Sequence, residues 1–189
     1  MKNINFEKGF TVLELVISIG IFALMSAVLL AKYGTFNQGV LLNNLAYDIA
    51  LTIRNAQSYG LNVRSASRSA NLFDNPYGVH FDLANDPTHF IFFVDLNGNG
   101  VYDDDPQIAN LAKTTITRGS VISDLCVGNS GNCNVDTLDI TFKRPDPNAI
   151  IKHNRFQNMY NSDADITITA IDGLSKKIKV RSTGQITVE

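Results

Sequence analysis

One carboxylate interrupts a long apolar run. From Phe10 to Ala31 there are 22 residues, and Glu14 is the only charged one. An ionised group in a membrane-length segment costs roughly 2.5–3.5 kcal/mol even on the mildest scales unless something pairs with it, so Glu14 is by default a functional residue that needs a cation. A second set of oxygens lies in Asp95-Leu96-Asn97-Gly98-Asn99-Gly100-Val101-Tyr102-Asp103-Asp104-Asp105. Calcium takes about six to eight oxygens, and a calcium loop places ligands at positions 1, 3 and 5, a glycine at 6 and a carbonyl at 7. Asp95, Asn97, Asn99, Gly100 and Val101 fit that opening, and Asp103 falls at position 9. Position 12 is Pro106, so Asp105 would serve only in a shortened loop. An Asn-Gly hairpin with a solvated acidic tip explains the same residues. Both readings stay open, and Ca2+ is the only cofactor the sequence suggests.

Cys126 and Cys133 are the only cysteines. With the head outside the cytoplasm they would form a disulfide, stabilising by about 2–3 kcal/mol for so short a loop; free thiols are the alternative. No further Cys or His lies near enough in sequence for zinc. His80, His89 and His153 are scattered, and neither a nucleophile elbow, a phosphate-cradling loop nor a paired-histidine motif occurs. We expect no enzymatic activity.

The elements that must position these groups follow from periodicity. At about 1.5 Å per residue, 22 helical residues span roughly 33 Å, enough for a hydrocarbon core of about 30 Å. Lys2 and Lys8 precede the run, which predicts a cytoplasmic leader and an extracytoplasmic remainder. A secretory signal would have a shorter apolar core of about 7–15 residues. Beyond the run, Leu42, Leu45, Ile49, Ile53, Ala56 and Gly60 recur at spacings of three and four, the stripe of an amphipathic helix. One helix is predicted from about Phe10 to Gly60, with Gly34 as a place to bend.

After a polar stretch from Asn62 to Pro76 the period becomes two. Strands are expected at Gly78–Leu83, Phe90–Asp95, Thr114–Ile122, Thr137–Lys143, Asp165–Ile171, Lys176–Arg181 and Gln185–Val188. Asp172-Gly173 marks a tight turn. The fold class is α+β, a helical spine on an antiparallel β head. The domains read as a leader over 1–9, a transmembrane helix over 10–31, its amphipathic extension over 32–61 and an extracytoplasmic head over 62–189. Net charge is −2, with ten acidic and two basic residues over 74–139, which gives no general drive toward nucleic acid.

Lys8-Gly9-Phe10-Thr11-Val12-Leu13-Glu14-Leu15 resembles the prepilin signal of type IV pilins and type II secretion pseudopilins: a basic leader ending in Gly, then Phe, then Glu as the fifth mature residue before an apolar stretch. The resemblance implies that a prepilin peptidase cuts between Gly9 and Phe10 and N-methylates Phe10. It also implies that Glu14 pairs with the Phe10 amine of a neighbouring subunit during filament assembly. A carboxylate snorkelling to the headgroups is the plainer account of Glu14. In many pilins a proline occupies the position of Ala31.

Thr141-Phe142-Lys143-Arg144-Pro145 and Ser182-Thr183-Gly184-Gln185-Ile186-Thr187-Val188 resemble the C-terminal half of the GspH/FimT-type minor pseudopilins. The implied partners are other pilins, the peptidase, the inner-membrane assembly machinery and the membrane. The implied place is the cytoplasmic membrane, single-pass, and then a filament. DNA-binding pilins of that kind carry Gly-Arg-x-Arg where this chain has Gly184-Gln185-Ile186-Thr187. Lys177, Lys179 and Arg181 remain as a basic strand face, which reads first as solvated and second as a DNA contact.

Overall fold

The computed structural model describes residues 9–62, 75–103, 110–128, 133, 135–154 and 163–189. The leader up to Lys8, Asp105 and most of the Asn62–Pro76 stretch lie outside them. The chain divides into two bodies, one up to Gln38 and one comprising Gly39–Glu189.

Helix α1 runs from Val12 to Leu61, 50 residues. No proline occurs before Pro76, so nothing in this stretch lacks a backbone donor, and the helix is unbroken through Gly34. Asn62 closes it: its backbone N–H and side-chain amide both donate to the Ser58 carbonyl, at 3.1 and 2.7 Å. In the first body, Val12–Ala31 is long and apolar enough to cross a membrane, with a mean hydropathy of 2.5 and no buried side chain. A helix apolar all round and uncovered by protein is suited to lipid.

The second body is the head. Its strands are β1 Tyr77–Asp82, β2 His89–Val94, β3 Asn110–Thr115, β4 Val121–Val127, β5 Thr137–Lys143, β6 Asp146–His153, β7 Ala164–Thr169, β8 Ser175–Val180 and β9 Ile186–Val188. They form two sheets, five strands in the order β3-β2-β1-β5-β6 and four in the order β4-β7-β8-β9, and every pairing is antiparallel. The fold is therefore α+β with antiparallel sheets.

Alternation decides what each sheet buries. In the five-stranded sheet, Val79 faces Phe92 on one side and Ile140 on the other, and Ile140 faces Ile151, a row of apolar side chains across four strands. In the four-stranded sheet Ile166, Ile168, Ile178 and Val180 are buried. Leu42, Ala46, Ile49, Ile53 and Ala56 of α1 close the same core. These helix positions recur every three or four residues, so one stripe is buried while Tyr47 and Leu51 remain exposed.

Two strand expectations need correction. Thr114–Ile122 is not one strand: Arg118 and Gly119 both take positive φ, 63° and 74°, and turn the chain between β3 and β4, which lie in different sheets. Strand β6 was hidden by Asp146-Pro147-Asn148, which reads as a turn. Proline is tolerated there because β6 is the edge of its sheet and need not donate on both sides.

Helix and sheet meet closely at Gly60, where an added Cβ would collide with the Phe142 carbonyl, while Arg144 N–H donates to the Gly60 carbonyl at 3.2 Å. We expect Gly60→Ala to lower the stability of the head by about 1–3 kcal/mol through overpacking. Ile53→Ala, at a position with no exposure, should cost about 2–5 kcal/mol through the cavity it leaves. Urea unfolding of the full chain in detergent micelles measures both, and unchanged midpoints would contradict this packing.

Candidate functional site

Glu14 sits in the first turn of α1, where the helix leaves backbone donors unsatisfied. Thr11 Oγ1 accepts the Glu14 N–H at 3.2 Å, and Glu14 Oε2 lies 3.4 Å from both the Thr11 nitrogen and Thr11 Oγ1. This is the reciprocal arrangement of a capping box. Its signature, Thr-x-x-Glu before an apolar run, is legible in Thr11-Val12-Leu13-Glu14, beside the two readings of the carboxylate as a partner for an outside cation and as a group snorkelling to the headgroups. The box also favours negative charge at the positive end of the helix dipole. It brings the carboxylate back to the residue that follows Phe10. Ser18 Oγ donates to the Glu14 carbonyl at 2.7 Å, one turn further on.

The Asp95–Asp103 loop satisfies itself. Asp95 is only 2% exposed. Its Oδ1 accepts Gly98 N–H and its Oδ2 accepts Gly100 N–H, both at 2.7 Å. Asn97 Oδ1 accepts Asn99 N–H at 2.9 Å, and Asn99 Oδ1 accepts Val101 N–H at 2.7 Å. Asp103 Oδ2 accepts from Asn97 Nδ2. The oxygens at loop positions 1, 3 and 5 thus hold the backbone in its turn, with Gly98 and Gly100 at φ of 74° and 77°. Position 12 of the calcium pattern falls outside the described residues, as does Asp105. The described residues form a buried carboxylate anchor for a tight loop.

That loop covers the outer face of the five-stranded sheet. Gly100 approaches Thr141, Ile150 and Lys152. The Tyr102 ring stacks on His80 at 4.6 Å and meets Phe93 edge-on at 5.4 Å. Beneath it, His80 Nδ1 lies 2.7 Å from Asp139 Oδ1, which also accepts the Tyr102 N–H at 3.3 Å. The register explains the meeting, since His80 is paired with Asp139 on β5 and with Ile91 on β2. Sequence reading treated His80 as a lone strand histidine, because Asp139 is 59 residues away.

A second histidine reaches the same face. His89 Nδ1 lies 2.6 Å from Asp86 Oδ1, Lys113 Nζ lies 3.0 Å from Asp86 Oδ2, and Thr88 Oγ1 donates to Asp86 at 2.9 Å. Asp82, Ile91 and Tyr102 complete an open cleft of about 380 Å³ with these groups. The carboxylate beneath His80 and the one beside His89 have their pKa values shifted in opposite directions. Burial pushes Asp139 above the ordinary range, against the opposing His80 hydrogen bond. Asp86, close to the surface, is held well below that range, chiefly by the His89 hydrogen bond and then by Lys113 and Thr88. Both imidazoles have Nδ1 occupied by a carboxylate.

Cys126 and Cys133 are joined in a disulfide with 4.0 Å between their α-carbons. Among the described residues, Asp124, Cys126 and Cys133 form the one grouping of three ligand-type side chains, and the disulfide occupies both sulfurs. On the basic strand face, Lys177 lies 3.2 Å from Asp165, Lys179 3.3 Å from Glu189 and Arg181 3.6 Å from Asp163. Comparison with protein-family models, curated proteins and solved structures gives no match. What the fold defines is an α+β protein with one apolar N-terminal helix of membrane-crossing length and an antiparallel two-sheet head.

Asp95→Ala would leave the Gly98 and Gly100 amides without acceptors, and we expect a loss of about 2–4 kcal/mol in chemical unfolding. For Asp86 the folded pKa lies below the ordinary 3.8, so its stabilisation is present above that value and is lost as pH falls below it. Asp86→Asn should therefore unfold at lower temperature than the parent at pH 7. The two should converge as the pH drops below 3.8, and a gap that persists there would contradict the assignment.

Proposed function

We propose that this chain is a prepilin-type subunit of the type IV pilin and type II secretion pseudopilin class, and within it a minor subunit of the GspH/FimT kind. The observation that carries the reading is Glu14. It is the only charge in an uncovered apolar helix, and it stands five residues into the chain that begins at Phe10, directly behind Lys8-Gly9. A generic anchor accounts for the length of that helix and even for a capping carboxylate, but gives no reason for its fixed place behind Lys8-Gly9-Phe10.

In this reading a prepilin peptidase cuts after Gly9 and methylates the new amine of Phe10. Val12–Ala31 holds the subunit in the cytoplasmic membrane with the head extracytoplasmic. During assembly the Glu14 carboxylate exchanges its Thr11 contacts for the Phe10 amine of a neighbouring subunit. In a medium of low dielectric that pair is strong, and either group left alone is costly, so the pair sets axial register as well as affinity. The exposed Val40, Tyr47 and Leu51, seven and four residues apart on α1, support lateral packing against other subunits. The function is assembly, with no chemistry at the His80 cleft. A DNA-uptake role is the weaker reading, because a carboxylate lies beside each cation of the Lys177–Arg181 face.

The test is mass spectrometry of the chain recovered from membranes that contain a prepilin peptidase. A mature N-methylated Phe10 is expected, and an intact leader under those conditions would falsify the reading. Glu14→Ala should still insert but should lose most filament incorporation in a sedimentation assay. Incorporation at the parental level would remove the register role.

A further inference from the structure

We propose that Asn97 and Asn99 are latent sites of spontaneous deamidation, and that the buried carboxylate of Asp95 keeps both closed by holding the two backbone nitrogens that would attack them. Asn97-Gly98 and Asn99-Gly100 are the two Asn-Gly pairs of the sequence. In such a pair the glycine nitrogen, unhindered by a side chain on its own residue, loses its proton and attacks Cγ of the preceding asparagine. The new C–N bond closes a five-membered imide, and ammonia leaves. Water then opens the ring at either carbonyl, giving aspartate or isoaspartate. The balance is amide plus water to carboxylate plus ammonium. Both asparagines are exposed, so access of water does not limit the reaction.

The pairs are present for a conformational reason. Gly98 and Gly100 take φ of 74° and 77°, a region that glycine enters without strain. The asparagine oxygens each accept an N–H two residues on, at 2.9 Å for Asn97 and 2.7 Å for Asn99. A turn built this way places the dipeptide most prone to cyclise twice within four residues. Asp95 offsets that hazard. Its Oδ1 accepts the Gly98 N–H and its Oδ2 the Gly100 N–H, each at 2.7 Å.

These two bonds act on the step that creates the nucleophile. The glycine nitrogen attacks as its anion, and a carboxylate already against it disfavours a second negative charge there, the more so in a site screened from water. To reach Cγ the nitrogen must also turn away from Asp95, which breaks the bond. The consequences of failure extend beyond the tip. Asn97 Nδ2 donates to Asp103 Oδ2, so a carboxylate at position 97 would face Asp103 with like charge. An isoaspartate would lengthen the backbone that carries Tyr102 onto His80.

The test follows the full chain in detergent micelles at neutral pH, folded and in urea. Amide hydrogen exchange passes through the same nitrogen anion. Gly98 and Gly100 should therefore exchange at least about tenfold more slowly in the folded chain, the factor that one charge-assisted hydrogen bond supplies. Peptide mass mapping after incubation should find Asn97 and Asn99 intact in the folded chain and converted to aspartate and isoaspartate in urea. Asp95→Asn keeps the shape, removes the charge and leaves one acceptor oxygen for two donors, so deamidation at 97 and 99 should rise roughly tenfold while circular dichroism shows the head still folded. Glycine amides that exchange in the folded parent as fast as in urea overturn the proposal. So does a folded Asp95→Asn chain that deamidates at the parental rate. If Asp95→Asn does not fold, the parent decides: equal deamidation of its folded and urea-unfolded forms overturns the protection, and slow exchange with intact asparagines upholds it.

Discussion

The head depends on one stripe of α1 being taken out of water. Leu42, Ala46, Ile49, Ile53 and Ala56 cannot be covered by a single sheet, because the five- and four-stranded sheets each contribute inner residues to the same core. Burying a large apolar side chain is worth about 1.5–3 kcal/mol, and small residues at Ala46 and Ala56 let the strands come close. Gly60 shows how tight that fit becomes, since no side chain at all fits against β5 there. The strand registers, the disulfide-bearing end of β4 and the turns between the sheets are arranged around this contact.

The first part of the same helix is long and apolar enough to cross a membrane. Residues 12–31 are apolar around the circumference and, among the described residues, covered by none, while residues 39–61 are apolar on one side only. A single proline-free helix is suited to either medium because it satisfies its own backbone hydrogen bonds in lipid and in water alike. What must change along it is the distribution of side chains. Glu14 is the exception in the first part, and its capping contacts with Thr11 give an otherwise costly carboxylate a local role even in the isolated chain.

On the outer face of the five-stranded sheet, environment decides chemistry more than residue type does. Asp139 and Asp86 each hold a histidine through Nδ1, yet one is pushed up and the other held down. Asp139 is buried under Tyr102 and the Asp95 loop, where desolvation outweighs its hydrogen bond to His80. Asp86 keeps contact with solvent and gathers His89, Lys113 and Thr88, so hydrogen bonding outweighs desolvation. Polar groups at such a face must find partners inside the fold, and these have found them.

The local sequence is enough to specify the helix and the class of the fold. An apolar run with one carboxylate, a three-four stripe after it and a change to period two are local signals, written in residues close together along the chain. It also carried the Thr11-Glu14 capping box and the Asp95–Gly100 turn, both formed within six residues. Three features arise only when the chain has folded: the strands split into two sheets at Arg118-Gly119, Asp146–His153 is an edge strand despite Pro147, and His80, Asp139 and Tyr102 form one cluster. The last joins residues up to 59 positions apart, and which residues meet across strands depends on register. Register is settled by which apolar faces the whole core can bury together, a collective quantity that no local spacing contains.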